Sequence, residues 1–311
     1  MEKKVLVTGA GGFLGSNLVK YLSENTDFRI FSIGLNNLRR ERFPREIYFQ
    51  KDLLSSEIRP EITNSIDWVF DFASVVGGFK FLNSQSALIM NKATMMNLNV
   101  LEASRKAGVK KILFASSACV YPRNKNTFIE EDAYPIDPEN SYGLQKIFME
   151  NVYREYQKTY GIEVYLPRFQ NIYGPFIQFK GEKAKGLADI CRKVILAKEE
   201  IELFGDGNQV RDYTYSEDAM EGVWKLINSD IHEPINISSG EAVTIDEYAR
   251  KIIYVLGKNI KINYTMKKDT GVNYRVSSNT KARKFLDWIP STPLEKGIKK
   301  MTDWIKEEMK I

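Results

Sequence analysis

Histidine is nearly missing from this chain: His232 is the only one in 311 residues. A single imidazole argues against His-based zinc sites and against a Ser-His-Asp triad. His232 itself lies among polar residues between two expected elements and reads as a surface residue. Cysteine is almost as scarce. Two thiols, Cys119 and Cys191, make no disulfide framework, so a reducing, cytoplasmic setting is expected. No apolar run is long enough to span a bilayer. The start, Met1-Glu-Lys-Lys-Val5, enters a strand-like segment at once, which predicts that no signal peptide is present. Repeats and low-complexity segments are lacking as well. Charge of one sign barely dominates, at a net +5. That excess suits either a solvated mixed-sign surface or a basic pocket for a phosphorylated ligand. The run Asn37-Leu-Arg-Arg-Glu-Arg42 is too short and too broken to argue for nucleic acid.

What is present has a clear rhythm. Short β-prone runs recur at Lys3–Thr8, Arg29–Ile33, Ile47–Gln50, Trp68–Phe72, Lys111–Ala115 and Glu163–Leu166. Helical spacing fits between most of them, notably at Ala87–Ala107 and at Tyr142–Tyr160 with its Gly161 stop. Strands alternating with helices predict an α/β fold of Rossmann type, a doubly wound parallel sheet covered on both faces. The pattern loosens after Pro175. A basic loop, 179–186, precedes a helix to about Ala197, and the tail, Leu294–Lys310, is an amphipathic helix. Residues 1–174 are expected to form a dinucleotide-binding domain, joined by returning segments near 212–238. Residues 175–311 are expected to form mainly a smaller substrate-binding domain.

The first strand runs into Gly9-Ala-Gly-Gly-Phe-Leu-Gly15 and then into a helix. Gly9, Gly12 and Gly15 permit a tight turn, a close backbone approach to a pyrophosphate and helix–sheet packing, while the helix N-terminus offers free N–H groups. In this strand–turn–helix context the motif predicts dinucleotide binding. An acidic residue is expected at the end of the second strand to hold the adenosine ribose; Asn36 stands there instead. Asparagine can bond a ribose hydroxyl, and Arg39 and Arg40 are near enough to meet a 2′-phosphate. NAD is the expected cofactor, with NADP the alternative. Asp52 ends a later strand and suits either an adenine contact or a turn cap.

Tyr142-Gly-Leu-Gln-Lys146 places a phenol and an ammonium on one helical face. An ammonium beside a phenol favours the phenolate, which makes Tyr142 a candidate base assisted by Lys146. The Ser117 hydroxyl is expected to share the moving proton. Cys119 follows Ser117 by two residues on a segment expected to be extended, so both side chains are expected on one face. A buried packing role is the other reading of Cys119, and the favoured one for Cys191.

These pieces together resemble the extended short-chain dehydrogenase/reductase family of nucleotide-sugar epimerases and dehydratases. The marks are Gly9–Gly15, Phe114-Ala-Ser-Ser-Ala-Cys-Val-Tyr-Pro122, Tyr142/Lys146, Pro167-Arg-Phe-Gln-Asn-Ile-Tyr-Gly-Pro175, Gly205-Asp-Gly-Asn-Gln-Val-Arg-Asp-Tyr213, and Arg275-Val-Ser-Ser-Asn-Thr-Lys-Ala282 with Leu286-Asp-Trp288. The resemblance implies a catalytic trio of Ser117, Tyr142 and Lys146. It places Phe13, Leu14, Leu53 and Ala73 with the glycines on the cofactor, and Asn171, Arg211 and Arg275 on a substrate diphosphate. Val76-Gly-Gly78, Glu182-Lys-Ala184 and Cys191-Arg-Lys193 are most similar to the GDP-mannose 3,5-epimerase branch. There Cys119 and Lys183 fall on the acid/base pair, with Gly78 also at the sugar.

The chemistry implied is transient oxidation at C4 of a nucleotide-bound sugar, which acidifies C3 and C5, followed by proton exchange through Cys119 and Lys183. Two lysines near the site, Lys146 and Lys183, would favour the Cys119 thiolate. Where dehydratases of this family carry an acidic pair, this chain has Ala118-Cys119, which disfavours dehydration. Open alternatives are a C4 epimerase or C4 dehydrogenase using only Ser117, Tyr142 and Lys146, an epimerase–reductase of 4-keto-6-deoxy sugars, and a non-catalytic dinucleotide-binding regulator. The resemblance also implies a homodimer through a four-helix bundle of the 87–107 and 142–160 helices.

Overall fold

The apolar run Lys4–Thr8 forms β1, which turns through the glycine loop into α1 (Phe13–Asn25) and returns as β2 (Arg29–Gly34). The computed structural model describes the chain except residues 1, 36–42, 55–64, 124, 139, 182–183 and 266–271. Next come β3 (Glu46–Gln50), β4 (Trp68–Asp71), a helical run ending in α2 (Thr94–Lys106), and β5 (Lys111–Phe114). Two-residue strands β6 (Ser116–Ser117) and β7 (Thr127–Phe128) precede the long α3 (Ser141–Tyr160) and β8 (Glu163–Tyr165). The principal sheet has the order β3-β2-β1-β4-β5-β8 and is parallel throughout. This is the doubly wound arrangement that the alternation of elements predicts, with its ligand crevice at the carboxyl ends of the strands.

Side-chain alternation on β1 explains why both faces are covered. Val5 and Val7 face a core completed by Leu18, Val19 and Leu22 of α1, whereas Leu6 faces a core with Val100 and Leu101 of α2 and Met149 and Tyr153 of α3. Asn140 caps α3 by accepting from the Gly143 N–H at 3.0 Å, and Gly161 ends it with φ 71°.

The helix expected as one piece over 87–107 is interrupted. Ser86–Leu88 is α-helical, Ile89–Ala93 forms a π turn, and α2 follows. The wider turn re-phases the helix, and Asn97 then points into the sheet, donating to Asp71 and to the Ala73 carbonyl. Apolar periodicity carries no sign of such a turn.

Beyond β8 the chain builds β9 (Pro167–Phe169), β10 (Asn171–Tyr173), α4 (Gly186–Leu196), β11 (Glu200–Phe204), β12 (Val210–Arg211) and β13 (Tyr213–Tyr215). It continues through α5 (Ser216–Ile227), β14 (Ile235–Ile237), β15 (Val243–Thr244), α6 (Ile245–Val255), β16 (Lys261–Thr265), β17 (Tyr274–Ser277) and α7 (Leu294–Met309). Residues of α4, α6 and α7 share a separate apolar core. Residues 219–237 return to the first core, and so do Ala282, Leu286 and Trp288. His232 is half-buried rather than a surface residue: its ring packs on Tyr165 at 5.1 Å and Nδ1 lies 3.2 Å from the Val164 carbonyl. No helix among the described residues is long and apolar enough to cross a membrane.

Trp288 is fully buried, donates from Nε1 to the Asp218 carbonyl at 3.0 Å and lies against Gly222 of α5. Replacing Trp288 by Ala should destabilise the protein by about 3–5 kcal/mol. Chemical denaturation checks this, and an unchanged midpoint would show that the late segment does not brace the first core.

Candidate active site

The glycine loop packs so closely that it excludes side chains. Gly9 has φ +64°, and a Cβ on Gly15 would come within 2.4 Å of the Gly9 carbonyl oxygen. Gly12 caps α1 without any side-chain acceptor on the helix N-terminus. A backbone this bare, with the N–H end of a helix facing outward, suits a pyrophosphate. Above it opens a cavity of about 570 Å³, bounded by Gly9, Gly12, Phe13, Leu14 and Gly15 on one side and by Asn171, Arg211 and Arg275 on the other. Ser117, Cys119, Tyr142, Lys146, Gly78 and Lys185 line it as well.

Tyr142 and Lys146 lie one turn apart at the start of α3. This end of the helix presses on the turn that carries Cys119: a Cβ at Gly143 would come within 1.9 Å of the Cys119 carbonyl oxygen. Cys119 is not on an extended segment as expected. After β6 the chain tightens into a 3-10 turn over Ala118–Val120, capped by the Ser117 hydroxyl, which accepts from the Cys119 N–H at 3.2 Å. Both side chains still border the cavity, by way of the turn rather than by strand alternation.

Burial works against the expected phenolate. Burial pushes the Tyr142 phenol above its ordinary range, and Cys119 adds to the push, while the hydroxyls of Ser117 and Ser74 pull it down. Lys146 is not among the groups that shift it. The Lys146 ammonium donates to the Ala115 carbonyl at 2.7 Å and lies 5.7 Å from the centre of the Tyr142 ring. Burial in turn lowers Lys146 to about 8, against the pull of Asp71, Glu150 and Cys119.

The diphosphate candidates come from paired strands. Arg211 on β12 stands in register with Arg275 on β17, and Asn171 donates to the Asp212 carbonyl at 3.2 Å. Asp212 is buried. Its Oδ2 accepts from the Ser238 hydroxyl at 2.6 Å and from the Ser277 N–H at 2.8 Å, which ties these strands together. Burial raises its carboxyl to about 7 despite those bonds. Arg275 Nη1 lies 3.6 Å from the Cys119 sulfur.

Lys183 and Asn36, with Arg39 and Arg40, lie outside the described residues. Lys185 was missed by the sequence reading. It lines the cavity, donates to the Gly77 carbonyl at 3.0 Å, and is held below the ordinary lysine range by burial, with Cys119 acting against the shift. Its position two residues from Lys183 was the available signal. Asp52, Leu53 and Ala73 do not border the cavity. Asp52 caps a turn by accepting from the Leu54 N–H at 3.0 Å, Leu53 is buried, and the Ala73 N–H bonds Thr8 and Asp71. Cys191 is buried in the separate core, where burial pushes its thiol up to about 12. No group of three or more His, Cys, Asp or Glu among the described residues could hold a metal ion.

Residues 5–238 match the NAD dependent epimerase/dehydratase family. The chain belongs to that family. It is thereby an NAD-dependent enzyme of nucleotide-sugar epimerase type, and the bare glycine loop fits that cofactor. Its relatives include GDP-mannose 3,5-epimerase 1 of Oryza sativa subsp. indica, 37% identical over 98% of this chain and 82% of the relative. GDP-mannose 3,5-epimerase of Arabidopsis thaliana is 36% identical over 98% of this chain and 83% of its own. Among solved structures, UDP-glucose 4-epimerase of Thermotoga maritima with UDP-glucose matches with TM-score 0.88 and 26% identity, covering 98% of this chain and 99% of that one.

The lowered Lys146 makes a signed prediction. Between about 8 and the free value of 10.5, unfolded Lys146 holds a proton that the folded form has released. Stability therefore rises with pH across that window. The unfolding free energy of the wild type minus that of Lys146→Met should climb by at most about 1.4 kcal/mol per pH unit there. A difference that stays flat in denaturant titrations would refute the lowered value.

Proposed function

We propose that this chain inverts C3 and C5 of a nucleotide-bound hexose, with a GDP-hexose as the favoured substrate, through a transient ketone at C4. The observation that carries the reading is the thiol of Cys119 beside Ser117 and Tyr142, with a second, cationic acid/base group, Lys185, lining the same cavity. Gly9, Gly12 and Gly15 would hold NAD, which when bound would supply hydride acceptance at C4 and its return. Tyr142 takes the C4 hydroxyl proton with help from Ser117, and Lys146 orients the site from its seat on the Ala115 carbonyl. The C4 ketone acidifies the hydrogens on C3 and C5. Cys119 and Lys185 remove and return protons there, and reduction at C4 completes an isomerisation with no net use of cofactor. Arg211, Arg275 and Asn171 bind the diphosphate, with Gly78 at the sugar.

The same chemistry without Cys119 is a C4 epimerase, a reading favoured by the structural likeness to UDP-glucose 4-epimerase. NMR of products and deuterium wash-in from heavy water decide between the two. Wild type should exchange C3 and C5 hydrogens of a GDP-hexose. Cys119→Ala and Lys185→Ala should each lose at least about 100-fold of that exchange while keeping NAD reduction at C4. Exchange lost in Lys183→Ala but kept in Lys185→Ala would return the role to Lys183. Inversion at C4 alone, with no exchange at C3 or C5, sinks the proposal.

The proposal includes a cytoplasmic homodimer. It also includes a nucleotide domain of residues 1–174 with returning segments and a mainly substrate-binding remainder. Exposed Met95 of α2 and Leu144 and Phe148 of α3, at 46%, 42% and 48% accessibility, support pairing of these helices with a second copy in a four-helix bundle. Light scattering should return the mass of two chains; a monomer mass at micromolar concentration would refute it.

A further inference from the structure

Arg211 and Arg275 make an uneasy pair. They stand in register on β12 and β17, and both border the cavity. Side chains in register on neighbouring strands share a face, where like charges repel. The four-stranded sheet that carries them runs β15-β12-β17-β7, and each of its three ladders is two residue pairs long. Ladders that short offer few backbone bonds to set against the repulsion.

Asp212 supplies a further hold. It directly follows Arg211, and its side chain reaches across to β17, where Oδ2 accepts the N–H of Ser277 at 2.8 Å, two residues beyond Arg275. The same oxygen accepts the hydroxyl of Ser238, just past β14, at 2.6 Å. The Asp212 carbonyl accepts from the Asn171 side chain at 3.2 Å. One residue thus adjoins Arg211, fixes the strand of Arg275 and anchors Asn171. Asp212 is fully buried and does not border the cavity, so it acts through these neighbours.

We propose that Asp212 is a positioning residue for the substrate: its carboxyl oxygen ties β12 to β17 so that Arg211 and Arg275 close together on the phosphates of a nucleoside diphosphate. The inference rests on the diphosphate reading given above, and its test separates the two. A tie and a bare charge differ in sign. As a negative charge beside arginines, Asp212 opposes an anion, and its removal would tighten binding. As a tie it preorganises the pair, and its removal loosens the grip.

Affinities of GDP and GMP are measured by calorimetry on NAD-loaded protein, with UDP and UMP alongside so that the base does not decide the result. The titrations run at about pH 8, where a carboxyl raised by burial to about 7 is mostly ionised. Wild type should favour the diphosphate over the monophosphate by at least about tenfold. Asp212→Ala should cut that preference roughly tenfold and leave NAD affinity unchanged. Asp212→Asn, which keeps an oxygen for Ser277 and Ser238 but no charge, should hold it within about threefold of wild type. Should the alanine variant fail to fold, Ser238→Ala, which removes one of the two donors to Oδ2, should cut the preference about threefold. Tighter diphosphate binding in Asp212→Ala, a preference equal to wild type in the alanine variants, or an asparagine variant that behaves like alanine each overturns the proposal. Equal weakening of NAD, diphosphate and monophosphate would mark a general loss of structure and overturn it too. If wild type itself shows no preference for either diphosphate, the arginine assignment has failed, and the tie with it.

Discussion

A guanidinium and a carboxylate, neither with any contact to water, sit directly behind the catalytic face. Arg168 of β9 meets Glu150 of α3 through two bonds, Nε to Oε1 at 2.9 Å and Nη2 to Oε2 at 2.6 Å. Burial works against the charge on Arg168, and Glu150 outweighs it. The remaining valences are filled: Ser116 donates to Glu150 at 2.5 Å, and Arg168 Nη1 reaches the Tyr121 hydroxyl and the Glu130 carbonyl. Such a pair adds little net stability over an apolar replacement, but breaking it by removing one partner costs about 3–5 kcal/mol. Its value is positional. It bolts α3, β6 and β9 to one point, one helical turn below Lys146 and one residue before Ser117.

From that point the active-site geometry follows. With α3 fixed against β6, the first turn of the helix has to pass the Cys119 carbonyl at a distance that only glycine allows, and Gly143 is there. Tyr142 and Lys146 flank that contact on the same helix. The buried Asp71, which accepts from Thr8, Asn97 and Tyr153, adds a second anchor on the face of the sheet that α2 and α3 cover. Preorganisation here comes from polar groups that are costly to leave unpaired, more than from apolar packing.

Much of this was legible in the residues. The glycine loop, the alternating strands and helices, and the Tyr142/Lys146 pair each carry a local signature, because strand pleat, helix turn and tight loop all write themselves into spacing. What stayed hidden depends on contacts between distant segments. The capped 3-10 turn at Cys119 requires the Ser117 side chain to compete with the strand for a backbone N–H. Lys185 meets Gly77, more than a hundred residues away, and nothing local distinguishes it from Lys183. The bond from Lys146 to the Ala115 carbonyl stayed hidden because sequence spacing places two residues on one face without saying which acceptor the ammonium will choose. Desolvation, which dominates at Tyr142, Lys146 and Asp212 alike, is a property of the finished fold.

The return of the late segments to the first core has a consequence in time as well as in space. Chains emerge from the ribosome N-terminus first. The strands β1 to β5 and the helices α2 and α3 that cover one of their faces are all made before residue 161. The opposite face, lined by Val5, Val7 and Phe70, has only α1 from the early chain and waits for α5 and finally for Trp288 to be completed. During synthesis, one face of the sheet is therefore dressed early, while the other carries only α1 until α5 is made and is completed only with Trp288. A nascent protein in that condition keeps part of one apolar face uncovered until α5 is made, and its fold closes only late in synthesis.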